Sequence, residues 1–153
     1  FAALSRQQLG EGRPETFNFL GFTHICGQNR EGKFVLLRHT AAKRMRAKLH
    51  EVKEALMRRR HQPVPAQGKW LRSVVQGYFA YHAVPTNIDT LEAFLTQTVR
   101  AWHHALRRRS QNDRTSWQRV GQLAERWLPK ARILHPWPNV RFNVRTQGKS
   151  PVR

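Results

Sequence analysis

The spacing of the apolar residues changes near Thr40, and this change constrains the fold more than any other feature of the chain. Before it, residues 17–25 and 33–38 are rich in Phe, Leu, Ile and Val, and the turn-forming residues 27–32 separate them. After it, apolar residues recur at steps of three and four. The first pattern is typical of a β-hairpin and the second of amphipathic helices. The sequence therefore predicts a mainly α fold of the α+β type, in which a short β-hairpin precedes a helical bundle.

Two helices are predicted directly after the hairpin. Thr40 is the expected N-cap of the first, because a threonine hydroxyl accepts a hydrogen bond from the free N–H groups of a first helical turn. Residues 61–67 contain two prolines and are predicted to link this helix to a second one over residues 69–83, which Pro85 ends. The apolar positions expected to face the core are Met45, Leu49, Val52, Leu56, Leu71, Val74, Val75 and Tyr78.

Two further helices follow in the prediction. Thr86 and Asn87 are expected to start the third, which ends in three arginines at residues 107–109, where cations also compensate the negative end of the helix dipole. Thr115 and Gln118 have the spacing of a capping box and predict the start of the fourth. The apolar positions expected to face inward are Leu91, Phe94, Leu95, Val99, Trp102, Leu106, Trp117, Val120, Leu123 and Trp127.

Residues 135–138, with the sequence His-Pro-Trp-Pro, are rigid and apolar. Two prolines in four residues restrict the backbone and prevent a helix from continuing. We predict that these residues form a strap that packs back on the helices, over Trp117 or Trp127.

Positive charge dominates the composition. The chain has 28 Lys and Arg against 9 Asp and Glu, a net charge of +19 on 153 residues. Such a surface attracts phosphate backbones, because each neutralised phosphate releases condensed counterions. Five Trp, eight Phe and two Tyr argue against a disordered basic tail. The expected partner is a nucleic acid, and a structural protein of the ribosomal type remains an alternative.

Several classes of protein are excluded by what the sequence contains. Its one cysteine, Cys26, has no second thiol for an internal disulfide or a zinc finger. No run of about 18 apolar residues suggests a membrane span, and no signal peptide is recognisable. The expectation is a soluble protein in a reducing, cytoplasmic compartment, of bacterial origin. Because the first residue is Phe1, we expect the sequence to be a processed product or a piece of a longer protein.

Two sets of residues carry a family resemblance. Residues 17–22, Phe-Asn-Phe-Leu-Gly-Phe, resemble the Phe-Leu-Gly block at the end of the palm in reverse transcriptases of the group II intron type. The second set resembles the maturase-specific thumb, or domain X, of group II intron-encoded proteins. Its blocks are Lys69-Trp70-Leu71, Gly77-Tyr78-Phe79-Ala80-Tyr81, Val84-Pro85-Thr86-Asn87, Leu106-Arg107-Arg108-Arg109-Ser110-Gln111 and Ile133-Leu134-His135-Pro136-Trp137-Pro138.

The resemblance implies a division of the chain into three parts. Residues 1–39 would be the end of the palm with a loop and the hairpin, residues 40–138 the helical thumb, and residues 139–153 a basic tail. The implied partners are group II intron RNA and the RNA/DNA primer-template duplex, with an upstream palm chain as a further candidate, and no membrane. By resemblance the hairpin would lie where the polymerase grips the primer end, through the primer-grip-like residues Phe19, Leu20, Gly21 and Phe22.

The chain departs from the family at its catalytic centre. The family's polymerase site is a Tyr-Ala-Asp-Asp turn plus an upstream aspartate, which hold two metal ions, and neither is present. The only aspartates, Asp89 and Asp113, would lie about 36 Å apart along one predicted helix, whereas two-metal catalysis needs ions about 4 Å apart. We therefore expect no catalytic residue, metal site or cofactor in this chain, although Mg²⁺ is expected for a complete polymerase.

The candidate RNA-binding residues come from the basic runs, in which acidic neighbours are too few to neutralise the charge. Only Glu51 and Glu54 lie near the first of these runs, and three arginines in a row exceed what a helix dipole needs. The candidates are Lys43, Arg44, Arg46, Lys48, Lys69, Arg72, Arg107, Arg108, Arg109 and Arg114.

The sequence thus predicts an RNA-binding thumb and maturase module that is not active as an enzyme alone. Two alternatives stay open. In the first, the chain completes an RNA-directed DNA polymerase whose palm is a separate chain. In the second, it is a basic structural protein that packs RNA without preference.

Overall fold

The computed structural model describes residues 16–28, 31–110, 112 and 114–137. Within these residues a three-stranded antiparallel sheet precedes four helices, which confirms the predicted α+β architecture. The strands, in spatial order, are β1 (Thr16–Phe19), β2 (Phe22–Gln28) and β3 (Phe34–Thr40). The helices are α1 (Ala42–Arg58), α2 (Val64–His82), α3 (Ile88–Arg107) and α4 (Trp117–Trp127).

The predicted strand over residues 17–25 is in fact two strands. Phe19 pairs with Phe22, so only Leu20 and Gly21 form the turn between β1 and β2. Their φ angles are 48° and 80°. Positive φ at both positions matches the turn to the right-handed twist of the strands, although Leu rarely adopts it. The prediction was wrong here because Leu-Gly is not among the usual turn dipeptides.

Thr40 does not cap α1 as predicted. It is the last residue of β3, and the N-cap position belongs to Ala41, whose side chain makes no capping bond. The N–H group of Thr40 donates instead to the Asn87 side-chain oxygen at 2.9 Å. A long-range partner has replaced the local one.

Asn87 joins the sheet to two helices. It is fully buried, and its amide nitrogen donates to the Thr40 hydroxyl and to the His82 carbonyl, both at 2.8 Å. With the bond from Thr40 N–H, its donors and its acceptor are all used, as a buried amide requires. The end of β3, the end of α2 and the start of α3 therefore meet at one side chain.

Thr86 reinforces this junction from a strained conformation. Its φ of 75° is unfavourable for a β-branched residue. The Thr86 hydroxyl accepts from the Arg38 N–H at 2.8 Å and donates to the Arg38 carbonyl at 3.3 Å. These two bonds to β3 offset the strain.

The second helix begins earlier than predicted. Pro63 occupies its N-cap position and Pro65 lies in its first turn, so the prolines of the expected linker start α2. Proline suits this place because its missing N–H would have no helical partner there. The segment between α1 and α2 is correspondingly short.

Gln67, in the first turns of α2, fixes the connection from α1. It is fully buried, and its amide nitrogen lies 3.0–3.1 Å from the carbonyl oxygens of Arg59, Arg60 and Gln62. Its amide oxygen accepts from the indole N–H of Trp102 at 2.9 Å. One side chain thus ties the end of α1 to the middle of the bundle.

The core lies among the four helices, where the predicted periodicity placed it. Tyr78 and Phe94 stack at its centre, with their ring centroids 3.6 Å apart. The buried apolar residues of the bundle are Val52, Leu56, Leu71, Val75, Tyr78, Phe79, Ala83, Leu91, Phe94, Trp102, Ala105, Leu106, Val120 and Leu128.

The start of α4 differs from the prediction in two ways. Ser116, not Thr115, is the cap, and its hydroxyl accepts from the Arg119 N–H at 3.2 Å. Trp117 does not face inward: 57% of it is exposed, although its ring lies 3.9 Å from that of His103.

The strap packs on a helix, but at a different place. The N–H groups of Leu134 and His135 donate to the Ala83 carbonyl at 2.9 and 3.1 Å, and the His135 ring donates to the Ala80 carbonyl at 2.7 Å. It therefore binds the end of α2 rather than Trp117 or Trp127. Pro138 lies outside the described residues.

Candidate nucleic-acid interface

The turn between β1 and β2 is held against the helices by its own backbone. The Tyr81 hydroxyl donates to the Leu20 carbonyl at 2.7 Å, and the Ala41 N–H donates to the Gly21 carbonyl at 2.9 Å. Phe22, which is buried, stacks on Tyr81 with ring centroids 5.7 Å apart. The position of the turn is therefore fixed relative to α1 and α2.

This turn lies close to a basic side chain. A Cβ atom built on Gly21 would lie 4.0 Å from Cγ of Arg44 and 3.9 Å from the Tyr81 ring. Arg44 is exposed in the first turn of α1. The fold thus brings together two predicted sites, the hairpin turn and the basic first helix.

A groove of about 460 Å³ runs between α1 and α2 beside this turn. One wall carries Arg44, Lys48 and Glu51, and the other carries Tyr81 and His82. We call it the α1–α2 groove. It is open, cationic on one side and aromatic on the other, which suits a phosphate backbone and a stacked ring.

Glu51 partly neutralises the charge of Lys48. Their side chains form an ion pair at 2.8 Å on the surface of α1. The hydrogen bond and the attraction to Lys48 lower the pKa of Glu51. Such exposed pairs are weak, so Lys48 remains free to exchange this partner for a phosphate.

The aromatic wall has one exposed ring and one buried ring. Tyr81 is 53% exposed, and its hydroxyl is engaged with the turn. Tyr78 is buried in the core, as predicted, and burial raises the pKa of its hydroxyl. Tyr81 is therefore the ring of this wall that can meet a base or a sugar.

His82 lines the groove at the junction with the sheet. Its Nδ1 lies 3.3 Å from the Thr40 hydroxyl. Burial lowers the pKa of its imidazole, and the charge of Arg44 lowers it further. The neutral form is favoured because a second cation here would be poorly solvated and would repel Arg44.

We expect the pKa of His82 in the folded protein to lie below 6.5, the value for an unperturbed imidazole. Its contribution to the free energy of unfolding is then full above that pH and is lost as the pH falls through the folded-state pKa, because the unfolded chain takes up the proton first. NMR titration of the ring measures this pKa, and Arg44→Gln should raise it more than Lys43→Gln does. Titration at or above 6.5 would contradict this account.

The other predicted RNA-binding residues lie elsewhere. Lys43 and Arg46 are exposed on α1 but do not line the groove, so the predicted basic face is divided. Lys69 and Arg72 are exposed on α2 and also lie outside it.

The predicted arginine run is divided too. Arg107 and Arg108 are exposed at the end of α3. The Arg109 guanidinium instead donates to the Gln62 carbonyl at 3.1 Å and, with Arg114, lines a second cleft.

Tyr81 could stack on bases by residue type, but it was not among the predicted site residues because an aromatic residue at helical spacing is more often part of the core; His82 was not predicted either. Tyr81 precedes the end of α2 and falls just off its apolar stripe. Its role depends on a bond to Leu20, 61 positions away in the sequence. The only local signal was an aromatic residue at a partly exposed helical position, and this signal does not identify its partner.

One face of the sheet is only partly covered: Phe22 and Thr40 on it are buried against the helices, whereas four other apolar residues of that face are exposed. Cross-strand pairing places Phe17, Phe19, Leu36 and Phe34 on the same face. Their exposed fractions are 52, 59, 37 and 45%, respectively. On this face, His24 lies beneath Phe17, with ring centroids 4.8 Å apart. Exposed apolar side chains on one face of a sheet are typical of an interaction site.

No group of three or more His, Cys, Asp or Glu side chains in the described part of the chain could hold a metal ion. Asp89 is exposed in the first turn of α3, which ends at Arg107, and Asp113 lies outside the described residues. The two aspartates therefore do not share one helix as predicted. None of α1 to α4 is both long and apolar enough to span a membrane.

Comparison of the chain with protein-family models, with curated proteins and with solved structures gave no match.

Proposed function

We propose that this chain is the RNA-binding thumb and maturase module of a group II intron reverse transcriptase. It would grip intron RNA and the primer-template duplex, and so support splicing and reverse transcription. The observation that carries the proposal is the α1–α2 groove, which Arg44, Lys48 and Tyr81 line, with the turn at Leu20 and Gly21 held against Arg44 and Tyr81.

The groove supplies the contacts that nucleic-acid backbones use. Arg44 offers a planar guanidinium to a phosphate, and Lys48 offers a mobile charge. The Tyr81 ring stacks on Phe22 but is 53% exposed, so its open part can meet a base. The sequence resemblance adds that this turn corresponds to the place where the polymerase holds its primer.

The test is the salt dependence of binding to the RNA transcribed beside this reading frame. If about six phosphates are neutralised, the affinity should fall about a thousandfold between 50 and 200 mM salt. In Arg44→Gln/Lys48→Gln, the slope of log affinity against log salt should become shallower by about 2, since each phosphate contact contributes about 0.9. Fluorescence anisotropy at several salt concentrations measures both quantities.

Lys43→Gln/Arg46→Gln is the matched control, because it removes the same charge from the same helix outside the groove. It should change the slope by less than half as much. Equal effects of the two double variants, together with equal affinity for an unrelated stem-loop RNA, would favour the basic RNA-packing protein. An affinity that does not depend on salt would exclude both functions.

The exposed apolar residues of the sheet favour a second candidate function, a subunit that completes an RNA-directed DNA polymerase with a separate palm chain. Phe17, Phe19 and Phe34 would then be covered by that chain. Primer extension with Mg²⁺ by the mixture, but by neither chain alone, distinguishes this candidate from an RNA-binding module.

A further inference from the structure

A second cleft lies at the opposite end of the bundle, where α2 begins, α3 ends and α4 starts. It has a volume of about 450 Å³. Val64 and Leu106 form part of its wall, and Arg109, Arg114 and Arg119 line it together. We call it the arginine cleft. Arg119 was not among the residues expected to bind RNA.

The three arginines come from separate parts of the fold. Arg109 follows α3, Arg114 lies in the connection to α4, and Arg119 is in the first turn of α4. They are close in the sequence but do not form a run, and the passage of the chain from α3 into α4 brings them to one cleft. The bond from Arg109 to the Gln62 carbonyl fixes one guanidinium at the junction of α1 and α2.

The charge of this cleft is uncompensated within the described residues. No carboxylate is among its described lining residues. The ion pairs in the described part of the chain are Lys33–Glu31 and Lys48–Glu51, and neither lies in this cleft. Three like charges around one cleft repel each other, and an anion would relieve that repulsion. Ser116 also lines the cleft, and as the cap of α4 it adds the positive end of the helix dipole.

We propose that the arginine cleft binds a phosphate group, as a second site separate from the α1–α2 groove. Guanidinium forks match the oxygens of a phosphate in charge and in geometry. A carboxylate would satisfy fewer of the N–H donors that three arginines present.

The phosphate belongs to the backbone of the RNA that occupies the groove, and this part rests on the proposed function. Val64 lines the cleft and Tyr81 lines the groove, and both are on α2. At the helical rise they lie about 25 Å apart along the axis. A mononucleotide cannot bridge that distance, whereas a folded RNA can contact both ends and gain affinity from the pair of contacts.

The test compares Arg114→Gln/Arg119→Gln with Lys130→Gln/Arg132→Gln, which removes the same charge from exposed residues outside the cleft. The first probe is inorganic phosphate, and NMR of the protein measures its binding. We expect shifts confined to residues of the cleft. We also expect the cleft variant to lose at least about tenfold in phosphate affinity, as the loss of charge-assisted bonds predicts. The control should bind phosphate as the parent does.

The second probe is the RNA used for the groove. The cleft variant should have a salt slope shallower by about 1, since one neutralised phosphate is lost. If phosphate binds in the cleft but the slope is unchanged, the RNA part is overturned and a small phosphate ester is the ligand. Phosphate bound in the cleft of a protein that binds no RNA would overturn the proposed function and support this site. Shifts spread over the whole basic surface, or equal losses in both double variants, would overturn the site itself.

Discussion

Replacing Trp102 by alanine is expected to lower the free energy of unfolding by about 3–5 kcal/mol, the usual cost of removing a buried aromatic ring. The side chain is fully buried between the helices. Its indole N–H also satisfies the amide oxygen of Gln67, so the variant leaves both a cavity and an unpaired buried acceptor. Urea denaturation, with thermal melting as a second measurement, gives the loss of stability.

Trp117→Ala is the matched control, because this tryptophan is more than half exposed and contacts mainly the ring of His103. It should cost about 1 kcal/mol or less. Trp102→Phe separates the hydrogen bond from the volume, since it retains a ring but not the N–H. If Trp102→Ala and Trp117→Ala cost the same, the core assignment of Trp102 is wrong.

The helical core could be predicted from the sequence because the spacing that defines it involves residues only three or four positions apart. Val52, Leu56 and Leu71 recur at helical spacing, and each is buried where that spacing placed it. Trp117 is the exception. It has the correct phase for the apolar stripe of α4 but lies in the first turn, where its ring packs on His103 of α3 and stays more than half exposed.

The junctions could not be predicted, because their partners are far apart in the sequence. Thr40 is a good N-cap by type and position, yet Asn87 binds its N–H from 47 positions away. Gln67 lies in what resembled a polar linker, and its buried amide proves to hold the carbonyl oxygens that follow α1. A polar residue gives no sequence signal for such a role, since its hydrophobicity predicts exposure.

The candidate sites were predicted only in part, for the same reason. Basic runs identified Arg44 and Lys48, but not that they share a groove with Tyr81. Arg107 and Arg109 belong to one basic run in the sequence, whereas in the structure Arg109 shares a cleft with Arg119. Charge in a sequence shows that anions will be attracted, and tertiary structure decides where the charges converge.

Alanine at position 68 is expected to destabilise the protein by about 1–3 kcal/mol, the usual cost of overpacking. Gly68 is buried in α2, and a Cβ atom there would lie 2.5, 2.7 and 2.9 Å from three atoms of the Trp127 ring. The clash falls on ring atoms near the backbone of α4, so relief requires α4 to move. Gly77→Ala, in the same helix, meets nothing within 4 Å and should instead stabilise by up to about 1 kcal/mol through helix propensity.

The two alanine variants should therefore change stability in opposite directions, although each makes the same chemical change in one helix. A double-mutant cycle of Gly68→Ala with Trp127→Leu tests the cause, because a smaller side chain at 127 removes the clash and should make the pair less destabilising than the sum of its parts.

The displacement of α4 also moves Arg119, so Gly68→Ala should weaken phosphate binding in the arginine cleft. Gly121→Ala, which is unobstructed in α4, should not weaken it. Equal gains in stability from alanine at 68 and at 77 would show that α2 and α4 do not approach each other through Gly68.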